Sequence, residues 1–225
     1  MKLTKHLLFN FVLLPGMLAC VLSSVALAQE ADLPADGEVV SQVVHGIKYP
    51  LEHTFSIDVG LAKYYGDRLA DTYGFIVEPR YHLSEKNWLS LPVFFGQTSL
   101  ASGDEVGAVA ANGAYIADPS LIVSLLFGHD FIFGKFALND HINHFRASFD
   151  VGPLVAQMQV LSGTAGSANY DVGLQGGGQM QLQFSDHWTT DLFTQLLLIH
   201  DTNPGASSST ATIGWMYGLK VGRTF

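Results

Sequence analysis

Few residues in this chain stand close enough to do chemistry together. His129, Asp130, Asp140, His141 and His144 place three imidazoles and two carboxylates within sixteen residues. A zinc-class metal would accept such donors at ~2.0–2.2 Å. Their spacing straddles an expected turn and repeats no metal-binding pattern, so they read as turn and surface side chains, and neither a metal nor a cofactor is expected. His144 and Ser148 have the types needed for an activated serine acting on a lipid. Both fall on the inward register of one expected strand, so the chain is not expected to be an enzyme.

A second group is spread along the whole chain. Asp58, Glu78, Arg80, His144, Arg146, Asp150, Asp191 and Lys220 all occupy the polar register of alternating segments. With the histidine uncounted they are four acids and three bases, close to balance. An unpaired ion away from water costs several kcal/mol, so the chemistry expected of this set is mutual salt-bridging inside a closed structure. Lys220 is expected to face Asp58, Glu78 or Asp150. A lining of one sign would favour a narrow pore; a salt-bridged plug is the reading taken.

Such an interior needs walls, and period-2 alternation supplies them from His53 onward. Phe55, Ile57, Val59 and Leu61 alternate with Thr54, Ser56, Asp58 and Gly60. Near the end, Ile213, Trp215, Tyr217, Leu219 and Val221 alternate with Gly214, Met216, Gly218, Lys220 and Gly222. Eight segments of this kind are predicted: 53–64, 73–83, 89–95, 121–127, 142–156, 174–184, 189–199 and 213–225. The seventh contains "LFTQLLLI", apolar in both registers; Leu192, Leu196 and Leu198 are assigned outward, Asp191 and Gln195 inward. "SEKN" and "SDHW" read as short turns, residues 97–120 as the largest loop, and "HDFIFGKFALNDHI" as an irregular link after strand four. Tyr81, Trp88, Trp188, Trp215, Tyr217 and Phe225 fall near strand ends, where aromatic girdles sit.

Composition says where such walls stand. Hydrophobic residues make up 48% of the chain and charged ones 14%, with a mean hydropathy of +0.25. At the N-terminus Lys2 and Lys5 precede an apolar run closed by Ala26-Leu27-Ala28, an export signal cut before Gln29. Cys20, the single cysteine, belongs to that signal and is not read as a lipid anchor. Loss of two lysines and no acid takes the formal charge from −9 to −11, which disfavours nucleic acid as a partner. Beyond the signal no apolar run approaches the ~18 residues of a membrane helix. An oily exported chain of this kind hides its apolar surface by alternation, and only a closed barrel satisfies alternating strands in lipid. The expectation is all-β: an eight-stranded antiparallel transmembrane β-barrel of the bacterial outer membrane. Residues 1–28 form the signal, 29–52 a periplasmic arm and 53–225 the barrel. A soluble exported β-sandwich is the alternative fold.

The stretch from "VVSQVVHGIKYP" through "RYHLSEKNWLSL", then "FIFGKFALNDHINHFRASFDVG", "QMQLQFSDHWTTDLF" and the final phenylalanine, resembles the outer-membrane β-barrel domain family of myxobacteria and other deltaproteobacteria, with predatory and gliding-motility-associated members. "ALNDHINHF" is more polar than is usual there. The resemblance implies the barrel fold and no catalytic residues. It agrees with a structural, adhesive or assembly role in outer-membrane lipids, with a homo-oligomer among the expected assemblies. A narrow pore and a lipid-modifying enzyme are the alternatives. Tyr217, Leu219, Val221 and Phe225 are the expected signal for the barrel-assembly machinery.

Overall fold

In a computed structural model, residues 51–66, 70–100, 117–138, 141–160, 169–185, 187–200 and 211–225 are described. The expected export signal, the expected arm up to residue 50, Asp140 and most of the expected loop at 97–120 lie outside them. Among the described residues no helix is long and apolar enough to cross a membrane.

Among the described residues the alternating segments form ten strands: β1 Phe55–Tyr65, β2 Ala70–His82, β3 Asn87–Ser90, β4 Val93–Leu100, β5 Ala117–Ser124, β6 Leu126–Leu138, β7 His141–Val160, β8 Asn169–Gln183, β9 Trp188–His200 and β10 Ala211–Thr224. They make eight walls, because β3 and β4 continue one line and so do β5 and β6. The breaks are local. Val77↔Val93 and Arg80↔Ser90 keep one register across the first break. Pro79, Pro92 and Pro153 lie along this level, each without an N–H to give to the ladder. The remaining donors use the prolines as acceptors: Leu91 N to Pro79 O at 3.0 Å, Ser124 N to Pro92 O at 3.1 Å and Leu125 N to Pro153 O at 3.0 Å.

All neighbours are antiparallel, and β1 closes the ring on β10 from Ser56↔Thr224 to Tyr65↔Trp215. Closure removes both sheet edges. Period-2 alternation then gives two faces. Phe55, Ile57, Val59, Leu61, Phe75, Leu174, Leu192, Leu196, Leu219 and Val221 are exposed on the outside. Asp58, Glu78, Arg80, Gln175, Gln179, Asp191, Gln195 and Lys220 are buried within.

One expected link is not a link. The described part of the stretch after strand four is strand: β6 runs to Leu138 and β7 starts at His141, paired from Leu138↔His141 to Phe127↔Val151. Only residues 139–140 connect them, so this junction is as short as those at 83–86 and 184–187. These three mark the turn end of the barrel; the connections at 66–69, 101–116, 161–168 and 201–210 mark the loop end. The alternation is broken there by a bulge, because Asp130 pairs with Ser148 and Ile132 with Ala147. The extra residue, Phe131, reverses the faces that follow, so Phe133 falls opposite inward Arg146. Strand four also begins at Ala117 rather than near Leu121.

Candidate functional site

The interior is where the chemistry-bearing side chains converge, and alternation on five adjacent walls puts them there. Glu78 and Arg80 come from β2, Asp58 from β1, Lys220 from β10, Asp191 from β9 and Gln179 from β8. Glu78 receives two cations: Lys220 Nζ at 2.6 Å on Oε2 and Arg80 Nη2 at 2.9 Å on Oε1. The same Nη2 lies 3.4 Å from Asp58 Oδ2 and 3.5 Å from Asp191 Oδ2. Gln179 Oε1 accepts from Arg80 at 3.1 Å and from Lys220 at 3.3 Å. Lys220 therefore meets Glu78 and, at 4.0 Å, Asp191. Asp58 is the partner of Arg80. Asp150 accepts from Gln195 Nε2 at 3.4 Å, and Gln195 in turn accepts from Gln175.

Nearer the turn end a second pair forms, with Arg146 Nη1 3.2 Å from Asp130 Oδ2 and donating to Glu85 O at 3.0 Å. Trp88 ties the two groups together. Its Nε1 donates to Asp130 at 3.3 Å and the Arg80 guanidinium lies 4.4 Å from its ring centre. Trp88 is buried in the barrel and is not part of an outer girdle, because it lies on the inward register of β3. Gly128 faces it across the ladder, where any Cβ would overlap the indole. His144 is buried on β7 with its ring 5.8 Å from that of Phe133, and Ser148 is buried on the same face. Neither faces lipid. The His-x-Ser pattern of lipid-modifying barrels, expected to be absent, does occur once, at His82-Leu83-Ser84. The structure separates them: His82 is buried inside, while Ser84 Oγ accepts from Asn87 N at 3.1 Å in the turn.

The expected charge balance is not what the interior shows. Asp118, Asp130 and Asp171 join Asp58, Glu78, Asp150 and Asp191, making seven buried carboxylates against Arg80, Arg146 and Lys220 among the described residues. Asp118 and Asp171 stand beyond the expected strand limits, where small and polar neighbours hide the alternation, and the structure places them on β5 and β8. Asp118 accepts from Thr72 Oγ1 at 2.7 Å.

An apolar layer, also unexpected, fills the loop-end half. Tyr64, Ile76, Phe94, Ile122, Leu154, Phe193, Leu197, Ile199 and Met216 form one buried cluster inside the ring. This resolves the ambiguity of "LFTQLLLI". Leu192, Leu196 and Leu198 face outward, while Phe193, Leu197 and Ile199 fill the barrel. An eight-stranded interior is about wide enough for side chains to fill it.

The four residues expected to signal assembly lie on the outer face. Tyr217, Leu219 and Val221 point away from the ring, and Phe225 N donates to Phe55 O at 2.8 Å with its ring exposed. Among the described residues no group of three or more His, Cys, Asp or Glu side chains could hold a metal ion.

A closed eight-stranded antiparallel ring, apolar outside and filled inside, is the fold of the eight-stranded outer-membrane barrels. Two solved structures carry the comparison. The N-terminal β-barrel domain of Pseudomonas aeruginosa OprF is 13% identical, with a TM-score of 0.51, over 77% of this chain and 98% of that one. The outer membrane protein OprG of Pseudomonas aeruginosa is also 13% identical with a TM-score of 0.51, over 80% of this chain and 99% of that one. No family model and no curated protein matches the chain.

Proposed function

We propose that the protein is a non-enzymatic outer-membrane scaffold, with its loop end at the cell surface and a structural, adhesive or assembly role. The observation that carries this is the filled interior. The apolar layer around Phe94, Phe193 and Leu197 spans the ring above the Glu78–Arg80–Lys220 network. A narrow pore would need water-lined space through both layers. Short turns on one side and, on the other, three longer connections out of four match the periplasmic and extracellular ends of such barrels. The myxobacterial and deltaproteobacterial kinship, a homo-oligomer in the plane of the membrane, and docking of Tyr217, Leu219, Val221 and Phe225 on the assembly machinery belong to the same reading.

Planar-bilayer recording tests it. Protein that migrates as a heat-modifiable folded barrel is expected to give no conductance steps at high protein load. Reproducible steps would favour the pore. Crosslinking in membranes tests the oligomer, where monomer alone would remove that part.

A further inference from the structure

We propose that the barrel interior binds a small monovalent cation between Asp58 and Thr189, above Gly222. The central network joins three carboxylates, Asp58, Glu78 and Asp191, to two cations, Arg80 and Lys220. One negative charge is left over, and Asp150, held by the Gln195 amide, adds to it. Asp58, Glu78, Asp191 and Lys220 are all fully buried, where an uncompensated ion costs several kcal/mol.

The unused oxygens show where the missing charge sits. Asp58 and Asp191 each turn Oδ2 to the same Arg80 Nη2, and their Oδ1 atoms are buried without a hydrogen-bond partner among the described residues. Thr189 Oγ1 is buried and unpartnered as well. The register sets Asp58 beside Gly222 and Gly222 beside Thr189. A methyl group on Gly222 would overlap Asp58 Oδ1 and lie 2.6 Å from Thr189 Oγ1. Asp58 Oδ1 therefore stands in the space that a side chain at position 222 would fill, with Thr189 Oγ1 at its edge. Oxygen-only donors select hard cations, and a position with so few oxygens around it suits a monovalent ion rather than a divalent one, which needs six or more.

The test uses the full chain folded in lipid vesicles at pH 8. Thermal unfolding is followed in lithium, sodium, potassium and N-methylglucamine chlorides at equal ionic strength. At least one alkali ion is expected to raise the midpoint by several degrees over N-methylglucamine, saturably. Thr189→Val keeps shape and charge and is expected to weaken the half-saturation by about tenfold, the worth of one contact to a charge. Asp58→Asn is expected to abolish the ion dependence; if it does not fold, Thr189→Val carries the test. Equal midpoints in all four salts overturn the proposal. So does a midpoint that follows pH but not cation identity, which would assign the missing charge to a proton.

Discussion

Lys220 Nζ and Glu78 Oε2 lie 2.6 Å apart although their strands are not neighbours: β1 stands between β10 and β2 in the wall. The contact crosses the interior and couples walls that the ladder alone does not join. Lys220→Met is expected to leave two carboxylates short of a cation and to cost about 3–5 kcal/mol, as breaking a buried ion pair does. Adding Glu78→Leu is expected to recover part of that loss, since an apolar replacement removes both charges together. Urea unfolding of the two variants in lipid vesicles checks the order; a double variant less stable than the single would contradict it.

Gly128→Ala is expected to destabilise the barrel by about 1–3 kcal/mol, the usual cost of overpacking. Its Cβ would overlap the Trp88 ring, which carries Arg80 on its face and donates to Asp130. An unchanged unfolding midpoint would show that Trp88 moves aside freely.

Phe193 and Leu192 are adjacent in β9 and face opposite ways, one into the apolar layer and one outward. Phe193→Ala is expected to cost about 3–5 kcal/mol through the cavity it leaves, and Leu192→Ala less than half as much. Equal costs, read from denaturant midpoints, would mean that the interior is not packed at this level.

Phe225→Ala is expected to leave unfolding within about 1 kcal/mol of the parent, because the ring is exposed. Its yield in the outer-membrane fraction of cells is expected to fall. A normal yield would remove Phe225 from the assembly signal.

Much of this arrangement is legible in the sequence, because one face of each wall must be apolar and the other must not. The eight outer registers follow from residues such as Phe55 to Leu61 and Ile213 to Val221, and the inward placement of Arg80, Asp191 and Lys220 follows with them. Three things are not legible. The bulge at Phe131 reverses the period within a single aromatic run, so "FIFGKF" shows no alternation to follow. Phe193, Leu197 and Ile199 fill the barrel with the same residue types that face lipid, and composition cannot separate the two. Ion partners depend on where side chains of different walls meet, which strand pattern does not encode; Asp191 rather than Asp150 stands by Lys220 for that reason.

The most direct test of a filled, membrane-spanning barrel is a cysteine scan of β9, in a background with Cys20 removed. Single cysteines at Leu192, Leu196 and Leu198 are expected to react with a lipid-dissolved maleimide. Cysteines at Phe193, Gln195 and Leu197 are expected to resist both that reagent and a small water-soluble one until the protein is unfolded. Reaction of the inward set with the water-soluble reagent in the folded protein would reveal an open lumen and contradict the account.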